Sequence, residues 1–155
     1  MKKAWTIDVK HGQSDETRTG VTIDAADVLE LEGSRGTVNL VIKFADAGEK
    51  AQCSIMSAEA YKAAFKKKKP ALAYLPRAVT PEDSGEWVPI VAFEARGLEV
   101  TKLHLGVDDV VIQSTGGAVY DEDVDLSDGD WAEYDADASL SVSVTGATTK
   151  VMLVR

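Results

Sequence analysis

Nucleophilic catalysis requires a nucleophile, a base and a group that orients the base, most often with histidine in the middle role. The chain of 155 residues offers two histidines, His11 and His104, and one cysteine, Cys53. His11 stands in a polar turn, His11-Gly12-Gln13-Ser14-Asp15, and His104 alternates with Leu103 and Leu105 on a predicted strand. Both read as ordinary surface or satisfied histidines. Cys53, in Gln52-Cys53-Ser54-Ile55-Met56, falls on a predicted strand and reads as a buried, inert thiol rather than a reactive one. No triad can be assembled, and the expectation is that the protein is not an enzyme.

The other concentration of chemistry is the acidic run at residues 121–130, Asp121-Glu122-Asp123-Val124-Asp125-Leu126-Ser127-Asp128-Gly129-Asp130. Hard cations want several carboxylate oxygens converging from one loop. Helix-loop-helix spacing fails here: with Asp123, Asp125 and Ser127 as the first ligands, the required glycine position holds Asp128 and the bidentate glutamate position holds Tyr134. The run reads as a solvated acidic loop, with a non-standard calcium site as the alternative. Paired acids for glycoside hydrolysis are a further possibility that sequence spacing does not decide.

These residues must be positioned by strands, because period-two alternation dominates the chain. Trp5-Thr6-Ile7-Asp8-Val9-Lys10, Val21-Thr22-Ile23-Asp24 and Val28-Leu29-Glu30-Leu31-Glu32 alternate, and residues 37–44 form a strongly β-prone run. Gly33-Ser34-Arg35-Gly36 supplies the glycines of a tight connection, which predicts a hairpin over 28–44. Further strands are expected at 87–95, 99–105, 109–113, 139–144 and 150–154. One short helix is expected at 57–69, capped by Ser57 and ended by Lys66 to Lys69 and Pro70. Residues 70–86, with three of the four prolines, read as an irregular connection. The sum is an all-β protein, mainly an antiparallel sandwich or distorted barrel, in a single domain spanning 1–155.

Composition sets the class of partner. Hydrophobic residues make up 45% and charged residues 28%, an ordinary globular balance. No stretch is long and apolar enough for a membrane span, and the lone cysteine suits a reduced compartment, so a cytoplasmic location without membrane association is expected. Residues 105–155 hold 11 acids against only Lys150 and Arg155, so the net charge of −9 resides in the last third. Such a pole repels phosphate backbones, which argues against nucleic acid as a partner.

From Val91 onward the chain resembles the eukaryotic CXXC-motif zinc-binding protein family. Val91-Ala92-Phe93-Glu94-Ala95-Arg96-Gly97-Leu98-Glu99 is similar to that family's V-x-F-E-C-R-G-L-E segment. Asp123-Val124-Asp125-Leu126 with Asp130-Trp131-Ala132-Glu133-Tyr134-Asp135 is similar to its D-I-N-L…D-W-x-D-Y-D segment, and Gly33 to Gly36 to its G-G-R-G hairpin. The resemblance implies intertwined antiparallel sheets and one zinc held by two C-x-x-C pairs in a closed structural site. Laid over those pairs, this chain has His11 and Ser14 in place of the first, and Phe44 and Ala47 in place of the second. One surviving ligand type cannot hold structural zinc, so a metal-free fold with no cofactor is expected, with Phe44 filling the apolar space. The resemblance also leaves residues 57–80 as an insertion, whose helix is expected to cover a sheet edge.

The functional expectation is a non-catalytic protein-interaction module with a degenerate zinc site. Its partner face would be Asp130, Trp131, Glu133, Tyr134 and Asp135, and its partner a basic protein. The alternatives are that Trp131 and Tyr134 pack a core edge, or that the protein binds zinc or calcium through His11 or the 121–130 loop.

Overall fold

The computed structural model describes residues 4–30, 36–45, 50–106 and 110–154. In chain order it forms β1 (Ala4–His11), β2 (Thr17–Asp24), β3 (Leu29–Glu30), β4 (Thr37–Val38), β5 (Leu40–Ile42), β6 (Ala51–Ile55), helix α1 (Ala58–Ala64), β7 (Phe93–Arg96), β8 (Leu98–His104), β9 (Ile112–Gln113), β10 (Val119–Tyr120), β11 (Trp131–Asp135) and β12 (Leu140–Val144). Two three-stranded sheets, β2-β1-β8 and β5-β6-β7, enclose the main core; β3-β4, β9-β10 and β11-β12 are two-stranded. Among the described residues every strand pairing is antiparallel, in keeping with a mainly antiparallel all-β fold.

Alternation in β1 places Trp5, Ile7 and Val9 inward, where they meet Ile23 from β2, Leu98, Val100 and Leu103 from β8, Ala51 and Cys53 from β6, and Phe44 just beyond β5. Fully burying each large aliphatic of this set contributes about 1.5–3 kcal/mol. The two sheets are joined through one residue. Gly97 alone separates β7 from β8, at φ 77°, and a Cβ there would stand 3.3 Å from Ala51 Cα and Cβ. Only glycine combines that backbone with that approach.

Both flanks of β1 carry bulges. Ile7 pairs Val21 while Val9 pairs Arg18, and Asp8 pairs Lys102 while Val9 pairs Val100. An extra residue in each neighbour bends it around the central strand. Asp8 staples both irregularities, accepting hydrogen bonds from the Gly20 N–H at 2.9 Å and from His104 Nε2 at 2.7 Å.

Several expectations change. The β-prone run 37–44 is divided between two sheets at Asn39, whose side chain replaces ladder bonds: Oδ1 accepts from the Ile55 N–H and Nδ2 donates to the Asp27 carbonyl, each at 2.8 Å. The 28–44 hairpin exists as the β3-β4 pair, although its turn residues 31–35 lie outside the described residues. Strand structure in 87–95 begins only at Phe93, and Arg77 takes the Pro89 carbonyl instead of a ladder partner. Residues 150–154 form no strand, and Leu153 is 72% exposed: alternation there has no sheet to join. The helix stops at Ala64, with Ser57 as its cap, and a 3-10 turn (Lys69–Tyr74) follows. Tyr61 is buried beneath that turn and donates to the Ala71 carbonyl at 2.7 Å, so the insertion's helix packs on its own segment.

Candidate functional site

The turn between β1 and β2 and the segment after β5 meet in one cluster. Cross-strand pairing of Val9 with Arg18 and Lys10 with Thr17, continued by the His11 N–H donating to the Glu16 carbonyl at 2.9 Å, puts His11, Val9, Glu16 and Arg18 on one face of the hairpin. Phe44, fully buried, lies against that face. Its ring stacks on the His11 imidazole, with centroids 4.7 Å apart and planes 25° from parallel, and the Arg18 guanidinium carbon lies 5.2 Å from its centre. His11 Nδ1 is 2.8 Å from Ser14 Oγ.

The backbone on either side of Phe44 is also held. Arg18 Nη2 donates to the Lys43 carbonyl at 3.4 Å, the Ala45 N–H donates to Glu16 Oε1 at 2.9 Å, and Arg18 and Glu16 are themselves ion-paired. His11, Ser14 and Phe44, three of the four positions singled out in the sequence, therefore converge; Ala47 lies outside the described residues. Arg18 and Glu16 were not anticipated, although their two-residue spacing on β2 opposite His11 is a signal that pairing makes readable. Ser14 Oγ also accepts from the Glu16 N–H at 3.3 Å. His104 is held by Asp8, which lies mid-strand on the face of β1 opposite Ile7 and Val9.

The acidic segment folds differently from the expected partner face. On β11, Trp131, Glu133 and Asp135 share one side with Leu140, Val142 and Val144 of β12, while Ala132 and Tyr134 share the other with Ser141 and Ser143. Asp135 is buried and accepts from Ser114 Oγ at 2.7 Å and from the Ala138 N–H at 3.2 Å, which holds its carboxyl below the usual range. Trp131 is half-buried with its ring edge-on to Tyr120 at 5.1 Å, and Asp130 accepts from the Gly146 N–H. Of the five residues expected to form a face, Trp131, Glu133 and Asp135 lie on the side of β11 opposite Tyr134; Trp131 is half-buried against Tyr120 and Asp135 is buried in hydrogen bonds, whereas Glu133 is exposed. Tyr134, 57% exposed, stays outside.

The carboxylates of the 121–130 loop do not converge. Asp125 accepts from the Ser127 N–H and hydroxyl, which lower its carboxyl, and Asp128 accepts from the Asp130 N–H. Val124 and Leu126 between them are buried. Among the described residues, no group of three or more His, Cys, Asp or Glu side chains is arranged to hold a metal ion.

With this geometry in view, comparison with known proteins gives one consistent answer. Residues 1–152 match the family described as CXXC motif containing zinc binding protein, eukaryotic. The chain belongs to that family. A 76-residue stretch is 36% identical to UPF0587 protein CG4646 of Drosophila melanogaster, covering 49% of this chain and 46% of the relative, so the alignment spans about half the length of each. Two solved structures share the fold: a hypothetical protein from Plasmodium falciparum (TM-score 0.73, 23% identity, 92% of this chain and 81% of that one) and C1orf123 (TM-score 0.74, 24% identity, 96% and 85%).

The family's name implies zinc held by C-x-x-C pairs, and the residues present here do not fit it. The one cysteine, Cys53, is buried in the main core, where burial pushes its thiol up to about 12. In the His11 cluster, a phenyl ring fills the space, His11 Nδ1 is engaged with Ser14, and both Glu16 oxygens are occupied by Ala45 and Arg18. A closed tetrahedral site needs four donors, and among the described residues this cluster offers one imidazole nitrogen beyond the bonds just given.

Proposed function

We propose that this member of the family is a non-catalytic, metal-free protein-interaction module, cytoplasmic in location, that binds a basic protein partner through the outer side of its β11-β12 hairpin. The observation that carries the reading is Tyr134: a large aromatic held 57% exposed on a regular strand, in a third of the chain with 11 acids and two bases. A ring fixed by a strand offers contact area at small entropic cost, and the net negative charge of this third of the chain steers a basic partner toward it. Ala132, Ser141 and Ser143 around it are small and exposed, leaving the ring accessible. Non-catalysis is supported by the occupation of both histidines in pairings without a nucleophile–base–orienter set.

Binding to an immobilised lysine-rich peptide, measured at low and at physiological salt, tests the reading. The expected result is binding that weakens with salt and falls roughly fivefold or more in Tyr134→Ser at an unchanged melting temperature. Binding insensitive to Tyr134, or none at low salt, would overturn it. Elemental analysis of protein purified without chelator tests the metal-free part, with less than stoichiometric zinc and calcium expected.

A further inference from the structure

We infer that the His11–Phe44–Arg18 stack, with Glu16, is this chain's working replacement for a structural metal: it ties the β1-β2 turn to the segment leaving β5 by aromatic and backbone contacts. The inference rests on the metal-free reading above and adds what does the holding. A structural zinc joins two loops by placing ligands from both around one ion. The same two-sided arrangement is present here in other chemistry. From the hairpin come an imidazole, a guanidinium and a carboxylate; from the other segment come a buried ring and the backbone groups on each side of it.

Each part depends on the others. Phe44 is fully buried at the end of a strand, with the main core on one side and the His11 ring at 4.7 Å and the Arg18 guanidinium carbon at 5.2 Å against its ring. Arg18 and Glu16 neutralise one another, so neither charge beside the ring is unpaired, and they grip the Lys43 carbonyl and the Ala45 N–H respectively. Lys43 and Ala45 are themselves exposed, so these contacts position the backbone around the ring rather than satisfy buried groups. The main core adjoins directly, since Phe44 belongs to the same cluster as Val9, Cys53 and Leu98. The turn is fixed from its other side by the Gly12 N–H donating to the Gly97 carbonyl at 3.0 Å, which sets the hairpin tip against the junction of the two sheets. A joint of this kind needs neither zinc nor reduced thiols, so the fold should be indifferent to chelators and to thiol oxidants that would open a four-cysteine site.

The test combines thermal melts, zinc analysis and amide exchange on the full chain. Phe44→Leu, which keeps apolar bulk without a ring, and His11→Ala should each lower the melting temperature, and the double variant should fall by clearly less than the sum of the two. Glu16→Ala should speed exchange of the Ala45 amide at least tenfold while leaving Val100 in β8 unchanged. EDTA should not move the melt of the unaltered protein. Additive losses for His11 and Phe44, or an Ala45 amide indifferent to Glu16, in zinc-free protein would overturn the stack and leave the metal-free reading intact. One zinc per chain with a melt lowered by EDTA would overturn both.

Discussion

Cys53 shows how burial settles a residue's chemistry. Its side chain is fully buried on β6, and desolvation of the thiolate raises its pKa to about 12. At pH 8 the native protein should therefore resist Ellman's reagent, with one thiol reacting promptly on addition of denaturant; rapid labelling of the folded chain would show that β6 opens readily. That the thiol is buried could be read from its place in an alternating run. The partner of Asp135 could not, because Ser114 lies 21 positions away and nothing in either local sequence links them.

At the level of elements, the decisive feature is how strands pass between sheets. Asn39 and Gly97 each end one pairing and begin another, one by side-chain hydrogen bonds that stand in for the ladder and the other by a left-handed backbone pressed on Ala51. Gly97→Ala adds a methyl group 3.3 Å from Ala51 in a conformation that L-residues disfavour. It should cost about 1–3 kcal/mol, seen as a shift in the urea midpoint with little change in slope. The glycine was visible in the resemblance-bearing segment Phe93 to Glu99, but its role as the junction of two sheets was not. Strand-like alternation at 150–154 misled for the converse reason: pattern records what a segment can pair with, and a sheet neighbour must also be present.

Across the whole molecule, two carboxylates staple distant parts. Asp8 joins the three strands of β2-β1-β8, its carboxyl held low first by the His104 hydrogen bond and then by the Gly20 N–H. Asp135 joins the β11-β12 hairpin to Ser114, held low first by that hydroxyl and then by the Ala138 N–H. A carboxyl whose folded pKa is depressed adds stability above its unfolded value, and that stability is lost as pH falls through the folded value. Stability to urea should hold near neutrality and decline below about pH 4. Asp8→Asn and Asp135→Asn should each lower the neutral value and flatten the acid decline. A steepness unchanged in both variants would assign acid sensitivity to other groups. Relief of repulsion among the acids that give the net charge of −9 works in the opposite direction, so the two variants are compared at matched ionic strength.

The sequence by itself determined the all-β class, the inward set Trp5, Ile7 and Val9, the Ser57 cap and the family, because periodicity, capping chemistry and a run of specific residues are local properties. It also determined that no four-thiolate site can form, since ligand count is a matter of composition. Tertiary structure alone decided that His11, Ser14 and Phe44 meet, that Glu16 and Arg18 clasp the backbone around the ring, and that Trp131 and Asp135 take the side of β11 opposite Tyr134. Those outcomes depend on which strands pair and in what register, and a shift of one residue would exchange the two faces of β11.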